Sequence, residues 1–185
     1  GSIVLTDEFD DNANNWPVTD YADDWGSVTR VITDSVYRWA VTADQSVGRW
    51  CMPDIDTVSD FYLTVAAQRA SGPEDAAYGL VFRQADGNYY LFSIRDDGYF
   101  RFSLWYGFEW LAEIDWTQTT VIHSGEVNRL SVVAEEAHFI FSINDEQVAE
   151  ADNDQLRRGE SGLAVMFLTP GEGVFEFDHF ELRAP

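Results

Sequence analysis

Short apolar runs alternate with polar residues along nearly the whole chain, and turn-forming residues separate the runs. A period close to two is typical of β-strands, and the helical period is weak everywhere. The pattern predicts a single all-β domain over 1–185 in which two antiparallel sheets pack as a sandwich, with one helical turn at 152–157. The predicted strands are 27–31, 36–42, 47–52, 61–69, 78–84, 89–95, 99–106, 110–114, 128–134, 139–143, 147–151, 163–168 and 174–182.

Two hairpin turns fix the predicted register of the central strands. Asp86-Gly87 supplies the positive φ that a two-residue turn needs, and Asp96-Asp97-Gly98 predicts a turn with a glycine bulge. With these turns, Val81 and Phe102 would both face Phe92 from the two neighbouring strands. One face of these strands would then be the core side.

The opposite face mixes aromatic rings, arginines and hydroxyl groups, which is the composition of a sugar-binding surface. Rings stack on the apolar faces of pyranose units, and polar side chains bond the ring substituents. The alternative is a face covered by loops, on which arginine stems pack against rings. An open face would indicate binding and a covered face a structural role. The predicted ligand-binding residues are Tyr78, Tyr89, Ser93, Arg95, Tyr99, Arg101 and Trp105.

The formal net charge of −22 narrows the range of partners. All 11 basic residues are arginines, against 33 acidic residues. Phosphate backbones and anionic membrane surfaces would be repelled, so neither nucleic acid nor a membrane is an expected partner. Neutral glycans, cell-surface polysaccharides and calcium remain compatible. The acidity also suits a salty or hot habitat, but an ordinary solvated surface is the favoured explanation.

Cys51 is the one cysteine, so no internal disulfide forms, and its place in a predicted strand indicates a buried, inert thiol. No apolar run has the length of a membrane helix. The pair Gly1-Ser2 is expected to be an expression scar, and the lack of a signal peptide is then uninformative.

Several motifs together resemble bacterial extracellular domains of the concanavalin A-like lectin/glucanase superfamily. The resemblance spans nearly the whole chain and implies a jelly-roll sandwich at the cell surface, a monomeric domain of a longer chain. Its motifs are more specific for fold than for function, since such domains occur on glycosidases, receptors and surface proteins. One departure is Asn144-Asp145, where Asn-Gly is usual. The motifs are 77–83 (AYGLVFR), 88–94 (NYYLFSI), 97–99 (DGY), 7–11 (DEFDD) followed by Trp16, 128–132 (NRLSV), 141–145 (FSIND) and 175–182 (FEFDHFEL).

The same superfamily includes laminarinase-type glycosidases with a Glu-x-Asp-x-Glu strand. Glu113 and Asp115 fit its first two places, but Thr117 stands where the third carboxyl group is needed. Retaining hydrolysis requires two carboxyl groups roughly 5 Å apart, so we predict no catalytic residue. No zinc site is expected from His123, His138 and His179 either.

A structural calcium ion is the expected metal. Asp7 and Asp10 near the first strand and Asp178 in the last would meet if those strands pair, and calcium prefers oxygen ligands. Related jelly rolls hold calcium at about this place. The alternative is an Asx turn at Asp10, with Asp178 bonding backbone amides.

The sequence thus predicts a non-catalytic extracellular module that binds carbohydrate or mediates adhesion. Two alternatives stay open: a purely structural or protein-interaction domain, and an atypical glycoside hydrolase.

Overall fold

The computed structural model describes all residues, 1–185, and contains fifteen strands and no helix. Every predicted strand is present, and two further strands, β1 and β2, precede them. The predicted helical turn at 152–157 is wrong, because the chain after Asp152 is a loop. No helix is present that could cross a membrane. The strands are β1 (Ser2–Asp7), β2 (Asp20–Asp23), β3 (Gly26–Thr33), β4 (Val36–Ala43), β5 (Val47–Cys51), β6 (Phe61–Ser71), β7 (Ala77–Ala85), β8 (Asn88–Arg95), β9 (Tyr99–Tyr106), β10 (Glu109–Gln118), β11 (Asn128–Glu135), β12 (His138–Ile143), β13 (Glu146–Asp152), β14 (Glu160–Phe167) and β15 (Gly171–Ala184).

The strands form two antiparallel sheets, as predicted. The larger sheet has the order β13-β12-β11-β6-β15-β4-β3-β2, and β1 pairs with the end of β15. The smaller sheet has the order β10-β9-β8-β7-β14-β5. Strands adjacent in space are often distant in sequence, so the sheets form only when the whole chain assembles.

The main core is a cluster of 38 buried residues, and its centre is aromatic. Phe102 of β9 lies 4.6 Å from Phe141 of β12 between ring centroids, and Phe92 of β8 lies 4.9 Å from the same ring. These rings join the two sheets. Burial of each such side chain contributes about 1.5–3 kcal/mol to stability.

The predicted hairpin turns are confirmed. Asp86 and Gly87 both adopt positive φ, 53° and 79°, in a two-residue turn between Ala85 and Asn88. In the next turn, Asp96-Asp97-Gly98, Gly98 adopts φ 97°, and Phe92 stands opposite Phe102 in the strands that follow from this turn. The β8–β9 register is therefore the one expected from the sequence.

The predicted β7–β8 register is wrong by one residue, because of a bulge at Arg83. Two residues, Arg83 and Gln84, stand opposite Tyr89 alone, and Arg83 has φ 49°. Phe92 consequently faces Leu80 rather than Val81. The core side of β7 is Tyr78, Leu80 and Phe82, while Val81 belongs to the opposite face.

Tertiary contacts of Arg83 hold the bulge in place. Its side chain is 1% exposed and donates from Nε and Nη2 to the Ser59 carbonyl at 3.0 and 2.7 Å. Its Nη1 donates to the Leu156 carbonyl at 3.0 Å. A buried guanidinium needs such acceptors, because an unsatisfied buried charge is costly. Loops before β6 and before β14 therefore stabilise the conformation of β7.

Candidate functional site

The outer face of the smaller sheet, turned away from the larger sheet, carries most of the predicted ligand-binding residues. Tyr89, Ser93 and Arg95 lie on β8, and Tyr99, Arg101, Ser103 and Trp105 lie opposite them on β9 in the observed register. Tyr78 is the exception. It is fully buried in the main core because of the Arg83 bulge, so its predicted place on this face is wrong.

The centre of the outer face is a second, small hydrophobic cluster. It consists of the buried residues Val81, Tyr89, Leu91 and Ala164, with Met52, Trp105 and Met166 packed against them. The outer face is therefore neither a bare solvated surface nor part of the main core. Its own large side chains shield its centre.

Four aromatic rings form a continuous row across the outer face, here called the ring row. Trp50 of β5 lies 5.2 Å from Tyr89, and Tyr89 lies 5.8 Å from Trp110 of β10. Trp110 in turn lies 5.0 Å from Trp105. Trp50 and Trp110 remain 43% and 39% exposed, so the row presents two ring surfaces to solvent above buried partners.

Beside the ring row, two arginines are held against aromatic rings. The guanidinium of Arg95 lies 4.8 Å from the Tyr99 ring centroid and 4.9 Å from that of Trp116. Arg101 lies 4.3 Å from Trp116. Cation–π contacts of this kind fix a guanidinium without using its N–H donors. Burial lowers the pKa of Arg101 from its ordinary value.

Several polar atoms on this face have no protein partner. The Nε of Arg101 and the hydroxyls of Ser93 and Ser103 are buried and form no hydrogen bond within the chain. Buried polar groups are usually satisfied by protein, water or ligand. These three atoms lie on neighbouring positions, since Ser93 faces Arg101 and Ser103 follows two residues later.

Sequence reasoning missed three tryptophans of this site: Trp50, Trp110 and Trp116. Trp110 pairs directly with Trp105, and continued alternation across the β9–β10 hairpin would have placed it on the outer face. Trp50 lies on the far edge of the sheet. Its contact with Tyr89 depends on strand order, which no local motif encodes.

Comparisons with known proteins show which solved structures share this fold. No protein-family model and no curated protein sequence matches the chain. Among solved structures, the carbohydrate-binding module CBM66 from Bacillus subtilis matches with a TM-score of 0.64 and 18% identity, over 94% of this chain and 98% of that one. A Bacillus subtilis protein of unknown function with a galectin-like fold matches with a TM-score of 0.70 and 14% identity, over 99% and 96%. The fold is a concanavalin A-like jelly roll.

This jelly roll also occurs in enzymes. The catalytic domain of an endo-1,3-β-glucanase (laminarinase) from Thermotoga petrophila matches with a TM-score of 0.64 and 8% identity, over 98% of this chain and 96% of that one. At these identities the likeness extends to fold alone. Whether this chain has catalytic carboxylates must be judged from its own residues.

The strand that carries Glu113 and Asp115, β10, pairs irregularly with β9. Two register shifts lie between Ala112 and Thr117, so strict alternation is lost. Both carboxylates are exposed, and Thr117 occupies the third place of the Glu-x-Asp-x-Glu motif, where a retaining glycosidase would need a further carboxyl group.

The three carboxylates predicted to hold calcium do not converge. Oδ1 of Asp7 accepts from the backbone N–H of Phe9 at 2.7 Å. Its Oδ2 accepts from Asn14 and from Trp16 Nε1, both at 2.8 Å. Asp10 accepts from the hydroxyl of Ser35 at 2.7 Å. Donors therefore occupy the positions where a cation would bind Asp7.

Glu8, Asp178 and His179 come together instead, with one potential ligand atom from each within 4.8 Å of the others. First and last strands do pair, Asp7 with Phe180, and this pairing produces the cluster. Oδ1 of Asp178 also accepts from the backbone N–H of His179. Calcium stays a prediction, with Glu8 and Asp178 as its available carboxylates.

Cys51 is buried, and burial raises its thiol pKa to about 11. The predicted inert thiol is consistent with this environment, because the reactive thiolate is absent near neutral pH.

Proposed function

We propose that this domain is a non-catalytic, extracellular carbohydrate-binding module that holds a neutral glycan across the outer face. The ring row carries the proposal. Exposed indoles of Trp50 and Trp110, each supported by Tyr89, offer flat apolar surfaces. Such surfaces suit the C–H faces of pyranose rings, because stacking buries apolar area on both partners.

Polar groups beside the ring row would orient the bound sugar. Arg95 and Arg101 are held by rings rather than by backbone carbonyls, so part of their N–H donor capacity is free for sugar hydroxyls. Arg95 also pairs with Asp97, at 2.9 Å between Nε and Oδ1. A few fixed polar groups around an apolar platform are typical of small-ligand sites.

The known structures support this proposal at the level of fold. CBM66 is named as a carbohydrate-binding module. Another matching structure, with a TM-score of 0.67 and 12% identity, is described in connection with endo-acting O-glycanases that members of the human gut microbiota express to initiate mucin breakdown. Binding is favoured over hydrolysis here because Thr117 stands where the third carboxyl group of a laminarinase-type strand is needed.

A glycan array followed by calorimetry tests the proposal. For a glycan found on the array, Trp110→Ala should lower affinity roughly tenfold or more, equivalent to about 1.4 kcal/mol. Phe108→Ala is the matched control, since this ring lies in the same hairpin, is 90% exposed and belongs to no aromatic pair. Absence of any glycan ligand, or equal losses in both variants, would refute the proposal.

A further inference from the structure

A groove of about 440 Å³ lies at one open edge of the sandwich, where β2 and β3 of the larger sheet meet β5 of the smaller one. We call it the edge groove. It is lined by Tyr21, Asp23, Trp25, Val28, Arg30, Val47, Gly48, Arg49 and Trp50. Its only shared member with the ring row is Trp50.

Two arginines line the edge groove, and they differ in their partners. Arg49 donates from Nη1 and Nη2 to the two carboxylate oxygens of Asp23, both at 2.8 Å, and so joins the sheets across the edge. This hydrogen bonding lowers the pKa of Asp23 well below its usual range. The charge of Arg49 is thereby neutralised.

Arg30 has no such partner. It is 8% exposed, forms no ion pair, and its one hydrogen bond is a long 3.5 Å contact from Nη2 to the Trp50 carbonyl. Its Nε is buried without any acceptor. The guanidinium instead lies 4.2 Å from the Trp39 ring centroid. A buried cation without a carboxylate partner destabilises the folded protein unless a ligand supplies the missing negative charge.

The walls of the edge groove are aromatic and exposed. Tyr21, Trp25 and Trp50 are 53%, 49% and 43% exposed. Among the lining residues, Asp23 is paired with Arg49, so Arg30 is the one charged group of the lining without an ion pair. An unpaired guanidinium beside exposed aromatic rings indicates an anionic ligand with a flat apolar body.

We propose that the edge groove is a second binding site, which accepts an acidic saccharide. The sugar ring would lie against Trp25, and its carboxylate would receive free N–H donors of Arg30. Charge-assisted bonds from a guanidinium to a carboxylate are the strongest available in such a site. The site differs from the proposed outer-face site in the charge of its ligand, and Trp50 borders both sites.

The test uses a uronic acid oligosaccharide and the same oligosaccharide after its carboxyl groups have been reduced to primary alcohols. The intact protein should bind the acidic form at least about tenfold more tightly, and added salt should diminish that preference. Arg30→Gln should lower affinity for the acidic form to that of the reduced form. Trp25→Ala should weaken binding of both forms.

Two controls separate this proposal from the outer-face function. Trp110→Ala should leave uronide binding unchanged, and Trp25→Ala should leave neutral-glycan binding unchanged. Circular dichroism must show that Arg30→Gln is folded; if it is not, the Trp25→Ala result and the preference of the intact protein decide. Equal affinity for the two forms, no binding of the acidic form, or its loss in Trp110→Ala would overturn the proposal.

Discussion

Replacing Tyr78 by Phe should destabilise the protein without affecting ligand binding. The Tyr78 hydroxyl donates to Oδ1 of Asp96 at 2.5 Å, while Oδ2 of Asp96 accepts from Arg69 Nε at 2.9 Å and from the Gly125 N–H at 2.7 Å. The same hydroxyl accepts from Asn128 at 3.3 Å. Tyr78, Asp96 and Asn128 are buried, and burial raises the Tyr78 pKa far above its usual range.

The magnitude follows from what the substitution removes. Phenylalanine fills the same space, so no large cavity forms, but one oxygen of a buried carboxylate loses its donor. Loss of a hydrogen bond to a charged group costs about 1.5–3 kcal/mol. For a domain of this size, about 2 kcal/mol corresponds to a fall in melting temperature of roughly 4–8 °C.

Urea and thermal unfolding measure this effect, and Tyr99→Phe is the control. Tyr99 lies on the outer face, where its ring contacts Arg95 and its hydroxyl forms no hydrogen bond within the chain. The control should therefore change stability by less than about 0.5 kcal/mol. A Tyr78→Phe variant as stable as the intact protein, or one that loses glycan affinity while remaining folded, would refute the reasoning.

Three further predictions concern the titration of His138, the binding of calcium and the reactivity of the Cys51 thiol. Hydrogen bonding to Asp152 raises the pKa of His138, so its contribution to stability is complete below about pH 6.5 and is lost as pH rises through the raised pKa. His138→Gln should remove this part of the pH dependence, and an unchanged profile would contradict the assignment. If calcium binds through Glu8 and Asp178, added calcium should raise the melting temperature and a chelator should reverse the rise; no shift in either direction would exclude it. Cys51 should react with a thiol reagent at pH 7 only after unfolding, and rapid modification of the native protein would contradict its burial.

Sequence alone predicted the β8–β9 hairpin because its signals are local. Asp96-Asp97-Gly98 specifies the turn, and burial of Phe92 and Phe102 rather than Arg95 and Arg101 specifies the faces. These two constraints agree, and the observed pairing follows them.

The β7 face could not be predicted in the same way. The Asp86-Gly87 turn is present as expected, but the shift occurs before it, at Arg83. The acceptors that bury this arginine, the carbonyls of Ser59 and Leu156, come from loops distant in sequence. Alternation by itself offers no reason to expect a charged residue to enter the core there.

Much of the candidate site is also non-local. The edge groove combines Tyr21 and Trp25 with Trp50, from opposite sheets. β2 was missed because its four residues are all exposed and so show no alternation. The register shifts in β10 around Glu113 and Asp115 likewise cannot be detected from the sequence, because alternation predicts an unbroken strand there.

Because of the bulge in β7, the number of residues in the β7–β8 hairpin should be conserved during evolution. Segments beside hairpin turns usually tolerate insertion and deletion. Here Arg83 and Gln84 together stand opposite a single residue. Deletion of either one would turn each side chain in the preceding part of β7 to the opposite face of the sheet. Tyr78 and Phe82 would then point to solvent, and Val81 would point into the core. A relative that lacks one of these two residues would therefore need its apolar and polar positions exchanged throughout β7. The bulge can thus serve as a reference position when distant members of the fold are aligned.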